Sequence, residues 1–232
     1  MTNLFKLFTA CLNAPYVQVE NEGNYALEKV GNSLYIFFEG SNGAVDWKNN
    51  FDFFPRSQKN ICKNIICRFQ ILKANCSAPA KPYKDMKYRW YAHRGFLRVW
   101  KSIEPYLAEA IADTKIKKII IVGFSHGAAI AVLCHEYVWF KRPDLREKTE
   151  GYGFGCPRVF WGIQTKEARR RWARFTVVRN IDDIVTHVPP IWLGFSHVGN
   201  MIKIGRRGKY SKIDAHRPEN ILLELEDMYE RA

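Results

Sequence analysis

The chain reads Ile119-Ile120-Ile121-Val122-Gly123-Phe124-Ser125-His126-Gly127, followed by an apolar run over 128–140, and this stretch decides the fold. A continuous β-branched run is typical of a strand that is buried on both faces of a parallel sheet. The apolar run is long enough for a buried helix, and Pro143 closes it. The pattern therefore predicts a buried strand and a buried helix joined by a tight turn.

The turn contains the pattern G-x-S-x-G with Ser125 at its centre. On such a strand-to-helix turn a serine hydroxyl is lifted clear of the sheet, and its backbone is strained. Gly123 and Gly127 are small, as the close approach of strand and helix demands. The amide of His126 is left free at the helix N-terminus, where it can bind a developing oxyanion. We predict that Ser125 is a nucleophile; the alternative is that it only caps the helix.

Outward from this turn, strand candidates alternate with helix candidates. The predicted strands are 34–38, 119–122, 151–155, 175–178 and 201–204. The predicted helices are 17–30, 96–111 with a kink or restart at Pro105, 128–140, 165–173 and 221–229. This alternation predicts an α/β fold with a mainly parallel central sheet flanked by helices. We expect a single domain over residues 1–232, with an irregular lid or insert region at about 42–91.

A nucleophilic serine needs a histidine base, and that base needs an acid that fixes its tautomer. On an α/β-hydrolase sheet the chain order is serine, acid, histidine, so both partners are expected downstream of Ser125. Asp182 and Asp183 are the carboxylates that follow the next buried strand candidate. His197 and His216 lie further on, and His216 follows the last strand candidate. From these residues alone both histidines stay open as the base.

The net charge of the chain limits the kinds of partner that it attracts. The chain of 232 residues has 36 Lys and Arg against 23 Asp and Glu, a net charge of +13. Such a surface attracts nucleic acid or anionic lipid headgroups. No nucleic-acid-binding motif accompanies the charge, so we expect no nucleic acid; peripheral contact with an anionic membrane surface is the partner that stays open. The alternative is that the basic clusters are ordinary solvated faces; they are 115–118, 169–171 and 206–209.

The cysteines and the N-terminal residues indicate in which cellular compartment the protein is expected. The six cysteines form no C-x-x-C pair, so we expect no zinc site, and Cys134 and Cys156 are predicted to be small core residues. Residues 1–15 make a poor signal peptide, and no run of about 18 apolar residues is present. We therefore expect a reduced, intracellular protein without a metal or cofactor.

Several motifs, in order over roughly residues 33–220, resemble the class 3 lipases, the family that contains the fungal triacylglycerol lipases. The matching motifs are Phe38-Glu39-Gly40-Ser41, Asp46-Trp47, His93-Arg94-Gly95-Phe96, the turn around Ser125, Gly153-Phe154-Gly155-Cys156-Pro157-Arg158-Val159, the stretch 180–190 that ends Asp183-Ile184-Val185-Thr186-His187-Val188-Pro189-Pro190, Gly194-Phe195-Ser196-His197-Val198-Gly199 and Asp214-Ala215-His216. The sequence departs from the family at Glu39, Asp182 and Thr186, where the family has arginine, asparagine and proline.

The resemblance implies roles for individual residues. The implied catalytic triad and oxyanion hole consist of Ser125, Asp183, His216, Ser41 and His126. His197 stays the alternative base, although the family's corresponding histidine does not have that role. The resemblance also implies an α/β-hydrolase fold and an acyl-enzyme mechanism that needs no cofactor.

The implied function is cleavage of carboxylic ester bonds of lipids, by a lipase or phospholipase type of serine hydrolase. Two alternatives stay open: an esterase that acts on small soluble esters, and a non-catalytic binding protein on the same fold. Residues 42–56 contain several aromatic side chains that would suit either a lid over the site or ordinary core packing.

Overall fold

The computed structural model describes residues 3–19, 23–40, 79–80 and 91–230. Ser41, the lid candidate 42–56 and nearly all of the irregular region 42–91 lie outside the described residues. Within the described part of the chain, no helix is both long and apolar enough to span a bilayer.

The strands form two sheets. In chain order the strands are β1 (Val17–Val19), β2 (Gly23–Val30), β3 (Ser33–Phe38), β4 (Pro79–Ala80), β5 (Tyr91–His93), β6 (Lys118–Phe124), β7 (Thr149–Phe154), β8 (Phe160–Trp161), β9 (Phe175–Asn180), β10 (Phe195–Ser196) and β11 (Asn200–Ile204). The central sheet has the order β1-β2-β3-β6-β7-β9-β11, and β10-β8-β5-β4 form a small second sheet. From β3 to β11 the central sheet is parallel, and β1 and β2 extend it antiparallel.

Helices cover both faces of the central sheet, as the α/β prediction required. They are α1 (Leu4–Leu12), α2 (Arg94–Ala112), α3 (His126–Lys141), α4 (Lys166–Arg171) and α5 (Pro218–Glu230). One buried cluster packs α2 and α3 against the sheet, and a second packs α1 and α5 against the opposite face. Cys134 and Cys156 are buried in the first cluster, as predicted. α2 runs through Pro105 as one helix.

The helix predicted at 17–30 is wrong. These residues contribute the strands β1 and β2, and β2 pairs with β3 from Tyr25 opposite Phe38 to Val30 opposite Ser33. The missed signal is the dipeptide Gly31-Asn32 between the two strands. Gly31 has φ 58°, a left-handed conformation that glycine adopts readily and that suits a tight hairpin. The hairpin pairing therefore outweighs the weak helical spacing of this segment.

The register of the parallel strands brings three loops to one edge of the sheet. Phe124 at the end of β6 pairs with Phe154 at the end of β7, and Phe154 pairs with Val178 of β9. The amide of Ser125 donates to the carbonyl of Phe154 at 2.8 Å, and that of Gly155 donates to the carbonyl of Val178 at 2.9 Å. The segments that leave β6, β7 and β9 therefore begin side by side.

A buried ion pair links α3 to α4. Glu136 and Arg171 are 0% and 1% exposed, and their side chains are joined by a hydrogen-bonded salt bridge. The guanidinium also lies over the rings of Phe140 and Trp172. Arg171 belongs to the basic cluster 169–171, so the solvated-face interpretation does not hold for this arginine.

Removing one partner of this pair should destabilise the fold. In Arg171→Met the Glu136 carboxylate stays buried without the cation, and we expect the free energy of unfolding to fall by about 3–5 kcal/mol. Urea denaturation monitored by circular dichroism measures the change. The control is the double variant Glu136→Gln/Arg171→Met, which removes both charges and should recover part of the loss. A single variant as stable as the wild type would contradict this account.

Candidate active site

The turn after β6 has the strained backbone that a nucleophile turn requires. Ser125 has φ 56° and ψ −121°, and it is the only non-glycine residue with positive φ in the described part of the chain. Such a conformation is sparsely populated and persists only where the surrounding structure enforces it. The turn thus holds the Ser125 side chain at the carboxyl edge of the sheet, just before α3.

The two glycines of the pattern are required by the packing of backbone against backbone. A β-carbon on Gly123 would lie 2.3 Å from the carbonyl oxygen of Gly127. A β-carbon on Gly127 would lie 2.3 Å from the carbonyl oxygen of Phe38, at the end of β3. Because backbone atoms cannot rotate away as a flexible side chain can, no larger residue fits at either position.

Ser125, His216 and Asp183 form a continuous chain of hydrogen bonds. The Ser125 Oγ lies 2.6 Å from His216 Nε2, and His216 Nδ1 lies 2.8 Å from Asp183 Oδ2. With Nδ1–H donating to the carboxylate, Nε2 is left to accept the serine hydroxyl proton. The side chain of Asp183 is fully buried and that of His216 is 14% exposed. This arrangement can deprotonate Ser125 and stabilise the resulting imidazolium.

Ser125 does not act as a helix cap and His197 does not contact Ser125, which were the two alternatives that the sequence left open. Ser125 precedes α3, but its side chain makes no capping hydrogen bond. His197 Nε2 donates to the carbonyl of Thr186 at 2.7 Å, so it is not the nitrogen that faces Ser125. The structure brings His216, rather than His197, into contact with the serine.

The adjoining carboxylates of Asp182 and Asp183 serve different partners. Asp183 Oδ1 accepts from the amide of Val185 at 2.8 Å, which leaves Oδ2 for His216. Asp182 Oδ2 instead accepts from the amide of Gly208 at 2.6 Å. Asp183 therefore orients the histidine, and Asp182 ties down the segment that leads to it.

Gly155 is a site residue that the sequence analysis did not single out. It has φ 57°, and a β-carbon here would lie 2.7 Å from His216 Cε1 and 3.2 Å from Asp183 Oδ2. The ring of Phe124 supports the same imidazole from another side, stacked at 5.1 Å. The available signal was the motif over 154–159, in which Gly155 immediately follows β7.

Arg158 is a second residue whose role was missed. Its guanidinium donates to the carbonyl of His187 and, at 2.9 Å, to the carbonyl of Pro189. Its backbone amide donates to the carbonyl of Val188 at 2.8 Å. Arg158 thus holds the loop that begins at Asp183 through three backbone carbonyls of that loop.

Of the two predicted oxyanion-hole residues, His126 lies in the described part of the chain. It is the first residue of α3, so its amide has no carbonyl of a preceding helical turn to bind and can serve a ligand at the helix N-terminus. Ser41 lies outside the described residues, and its role stays a prediction.

Burial changes the basicity of the other histidines near the site. It lowers the pKa of His126 to about 4. Burial is also the main reason that the pKa of His197 falls to about 4, with Arg158 and Arg179 as smaller causes. Both imidazoles are neutral at pH 7, and a base with a pKa that low is a poor proton acceptor.

No group of three or more His, Cys, Asp or Glu side chains within the described ranges is arranged to hold a metal ion. The groups at the site are those of hydrolytic acyl transfer by an activated hydroxyl: a nucleophile, a base, a buried acid and an oxyanion donor.

Comparison with known proteins identifies the family of the chain. The family model described as Lipase (class 3) matches residues 35–192. A lipase of Rhizomucor miehei is 23% identical over 179 residues, which are 72% of this chain and 40% of that lipase. The secreted mono- and diacylglycerol lipase 1 of Fusarium solani is 24% identical over 180 residues, 74% of this chain and 44% of that protein. The aligned part thus spans less than half of each relative.

Solved structures show the same fold. One is a triacylglycerol lipase whose catalytic centre is a serine protease triad; it gives a TM-score of 0.60 at 21% identity, over 82% of this chain and 65% of that one. The triacylglyceride lipase of Rhizomucor miehei gives a TM-score of 0.58 at 20% identity, over 82% and 66% of the two chains. At these identities the likeness establishes the fold.

Gly155→Ala should impair ester hydrolysis without unfolding the protein. The new methyl group would meet the His216 ring, and a shift of about 1 Å in a catalytic group can lower the rate by about a hundredfold. The matched control is Gly31→Ala, where φ is 58° but nothing lies within 4 Å of the added carbon. For both variants we would measure the rate of hydrolysis of a soluble p-nitrophenyl ester and the melting temperature. Equal losses of activity in the two variants would contradict the steric explanation.

Acid should destabilise the fold partly through His197. Its pKa is about 4 in the folded chain against 6.5 as the ordinary value, so the unfolded chain binds the extra proton between these limits. The free energy of unfolding therefore falls as pH drops from 6.5 towards 4. We expect His197→Gln to reduce the loss between pH 7 and about 5.5 by roughly 1 kcal/mol, measured by urea denaturation at both pH values. Identical pH dependence in variant and wild type would exclude this contribution.

Proposed function

Since this chain belongs to the class 3 lipase family, we propose that it is a serine hydrolase that cleaves carboxylic ester bonds of lipids. The observation that carries the proposal is the hydrogen-bonded chain from Ser125 Oγ through His216 to Asp183. A strained backbone at the serine, a buried carboxylate and an imidazole hydrogen-bonded between the two side chains are features of an activated serine. The lipid substrate class is supported by the names of the relatives, which are lipases.

In the first half of the reaction Ser125 Oγ attacks the ester carbonyl carbon while its proton passes to His216 Nε2. The carboxylate of Asp183 holds the Nδ1 proton and stabilises the imidazolium that forms. The amide of His126, with that of Ser41 as its proposed partner, donates to the oxyanion of the tetrahedral intermediate. His216 then returns the proton to the leaving alcohol oxygen, and an acyl-enzyme remains.

In the second half water attacks the acyl carbon and gives its proton to His216 Nε2. The second tetrahedral intermediate collapses, the carboxylic acid leaves, and Ser125 regains its proton. The burial of Ser125, which is 2% exposed, favours this chemistry because hydrogen bonds to developing charge are stronger away from water. Lipid esters are the proposed substrates, and hydrolysis that rises sharply once the ester forms aggregates would separate this proposal from an esterase for soluble esters.

The proposal is tested by labelling with a fluorophosphonate probe, with the adduct located by mass spectrometry. We expect the wild type to be labelled at Ser125 and both Ser125→Ala and His216→Ala to lose labelling. Ester hydrolysis should fall by roughly ten-thousandfold or more in each, as it does when a triad member is removed.

The matched control is His197→Ala, which removes a histidine of the same region and should keep its labelling. Normal labelling of His216→Ala together with loss in His197→Ala would overturn the base assignment but keep the enzyme class. Undiminished ester hydrolysis by Ser125→Ala would overturn the proposed function.

A further inference from the structure

The segment 205–213 connects β11 to the turn that contains His216. Two hydrogen bonds fix its position: one joins it to the side chain of Asp182, and the other joins its last residue to the turn that contains His216. The amide of Gly208 donates to Asp182 at 2.6 Å, and the amide of His216 donates to the carbonyl of Ile213 at 3.0 Å. Whatever this segment binds is therefore held next to the reacting side chains.

Two exposed apolar side chains lie on this segment and on the loop that is hydrogen-bonded to it. Ile213 is 61% exposed, and Ile184 on the loop after β9 is 38% exposed. The amide of Ile184 donates a hydrogen bond to the carbonyl of Lys212 at 3.2 Å, which ties the two segments together.

The same segment has exposed cations that form no ion pair with the described residues. Arg206, Arg207 and Lys212 are exposed, and none takes part in the ion pairs formed among the residues that the structure describes. Lys209 differs, because Glu224 pairs with it at 2.5 Å. The segment therefore combines three exposed cations with the exposed side chain of Ile213, which makes it amphipathic.

We propose that Ile184, Arg206, Arg207, Lys212 and Ile213 form a docking rim by which the protein binds an anionic phospholipid surface. The apolar side chains enter the headgroup boundary while the cations pair with lipid phosphates, a combination typical of interfacial binding. A nucleic acid would use the cations but would gain nothing from the exposed isoleucines. The inference rests on the proposed function, for which it supplies the surface that presents the ester.

The test is co-sedimentation of the full chain with vesicles of ether-linked phospholipids, which the proposed activity cannot cleave. Vesicles of phosphatidylcholine alone are compared with vesicles that also contain phosphatidylglycerol. We expect binding to the anionic vesicles, with a partition coefficient that falls about tenfold or more in Arg206→Gln/Arg207→Gln/Lys212→Gln. Melting temperatures confirm that these exposed substitutions leave the fold intact.

The matched charge control is Lys115→Gln/Lys117→Gln/Lys148→Gln. It removes the same charge from exposed residues that precede β6 and β7, at the opposite end of the sheet. This variant should weaken vesicle binding by less than about twofold, since charges beyond a Debye length from the surface are largely screened. Equal weakening in the two triple variants would overturn the rim, because the net charge alone would then explain binding.

The apolar part is tested by Ile213→Ser, with Leu223→Ser as the control, an isoleucine and a leucine that are 61% and 51% exposed. Only the first should weaken vesicle binding. If neither does, and the wild type binds soluble heparin as tightly as vesicles, the surface is a general polyanion site and the proposal is wrong. Vesicle binding without ester hydrolysis would overturn the proposed function and leave the docking rim. Ester hydrolysis without rim-dependent binding would overturn the docking rim and leave the proposed function.

Discussion

The close contact between the end of β6, the start of α3 and the end of β3 is the constraint on which the rest of the structure depends. Gly123 and Gly127 meet backbone oxygens directly, and between them Ser125 is forced to φ 56°. The strain is offset by the buried strand and helix on either side, since both are packed into the large core cluster. A site built on two rigid elements holds its nucleophile more precisely than a mobile loop could.

The partners of Ser125 come from two other strand ends, so the geometry of the site follows from the register of the sheet. β9 delivers Asp183, and the turn after β11 delivers His216, while Gly155 after β7 leaves the space in which the imidazole sits. Asp183 contributes the negative charge, His216 contributes the proton acceptor, and Gly155 leaves the space that the imidazole occupies. A displacement of any one strand by a residue would separate groups that must lie within hydrogen-bond distance.

Basic clusters that look alike in the sequence lie in different environments in the fold. Arg171 is buried between helices and paired with Glu136, whereas Arg206 and Arg207 stay exposed beside the site. The first depends on Glu136 for its burial, since a lone charge could not be buried there without a large cost in free energy. The others are accessible to a partner, because they are exposed and form no ion pair with a described residue. Sequence charge therefore limits the class of partner, and the fold decides which cations remain to meet it.

The sequence alone determined the nucleophile turn and the alternation of strands and helices around it. These features are local: a β-branched run, two glycines and an apolar run restrict neighbouring residues through sterics and burial. Tertiary structure decided between His216 and His197, since the base lies 91 residues from Ser125 and 33 from Asp183 along the chain. It also decided that 17–30 form strands, because the edge of β3 offers hydrogen bonds that a helix there would leave unused. Distances between remote residues are set by the register of the sheet, and no local pattern contains them.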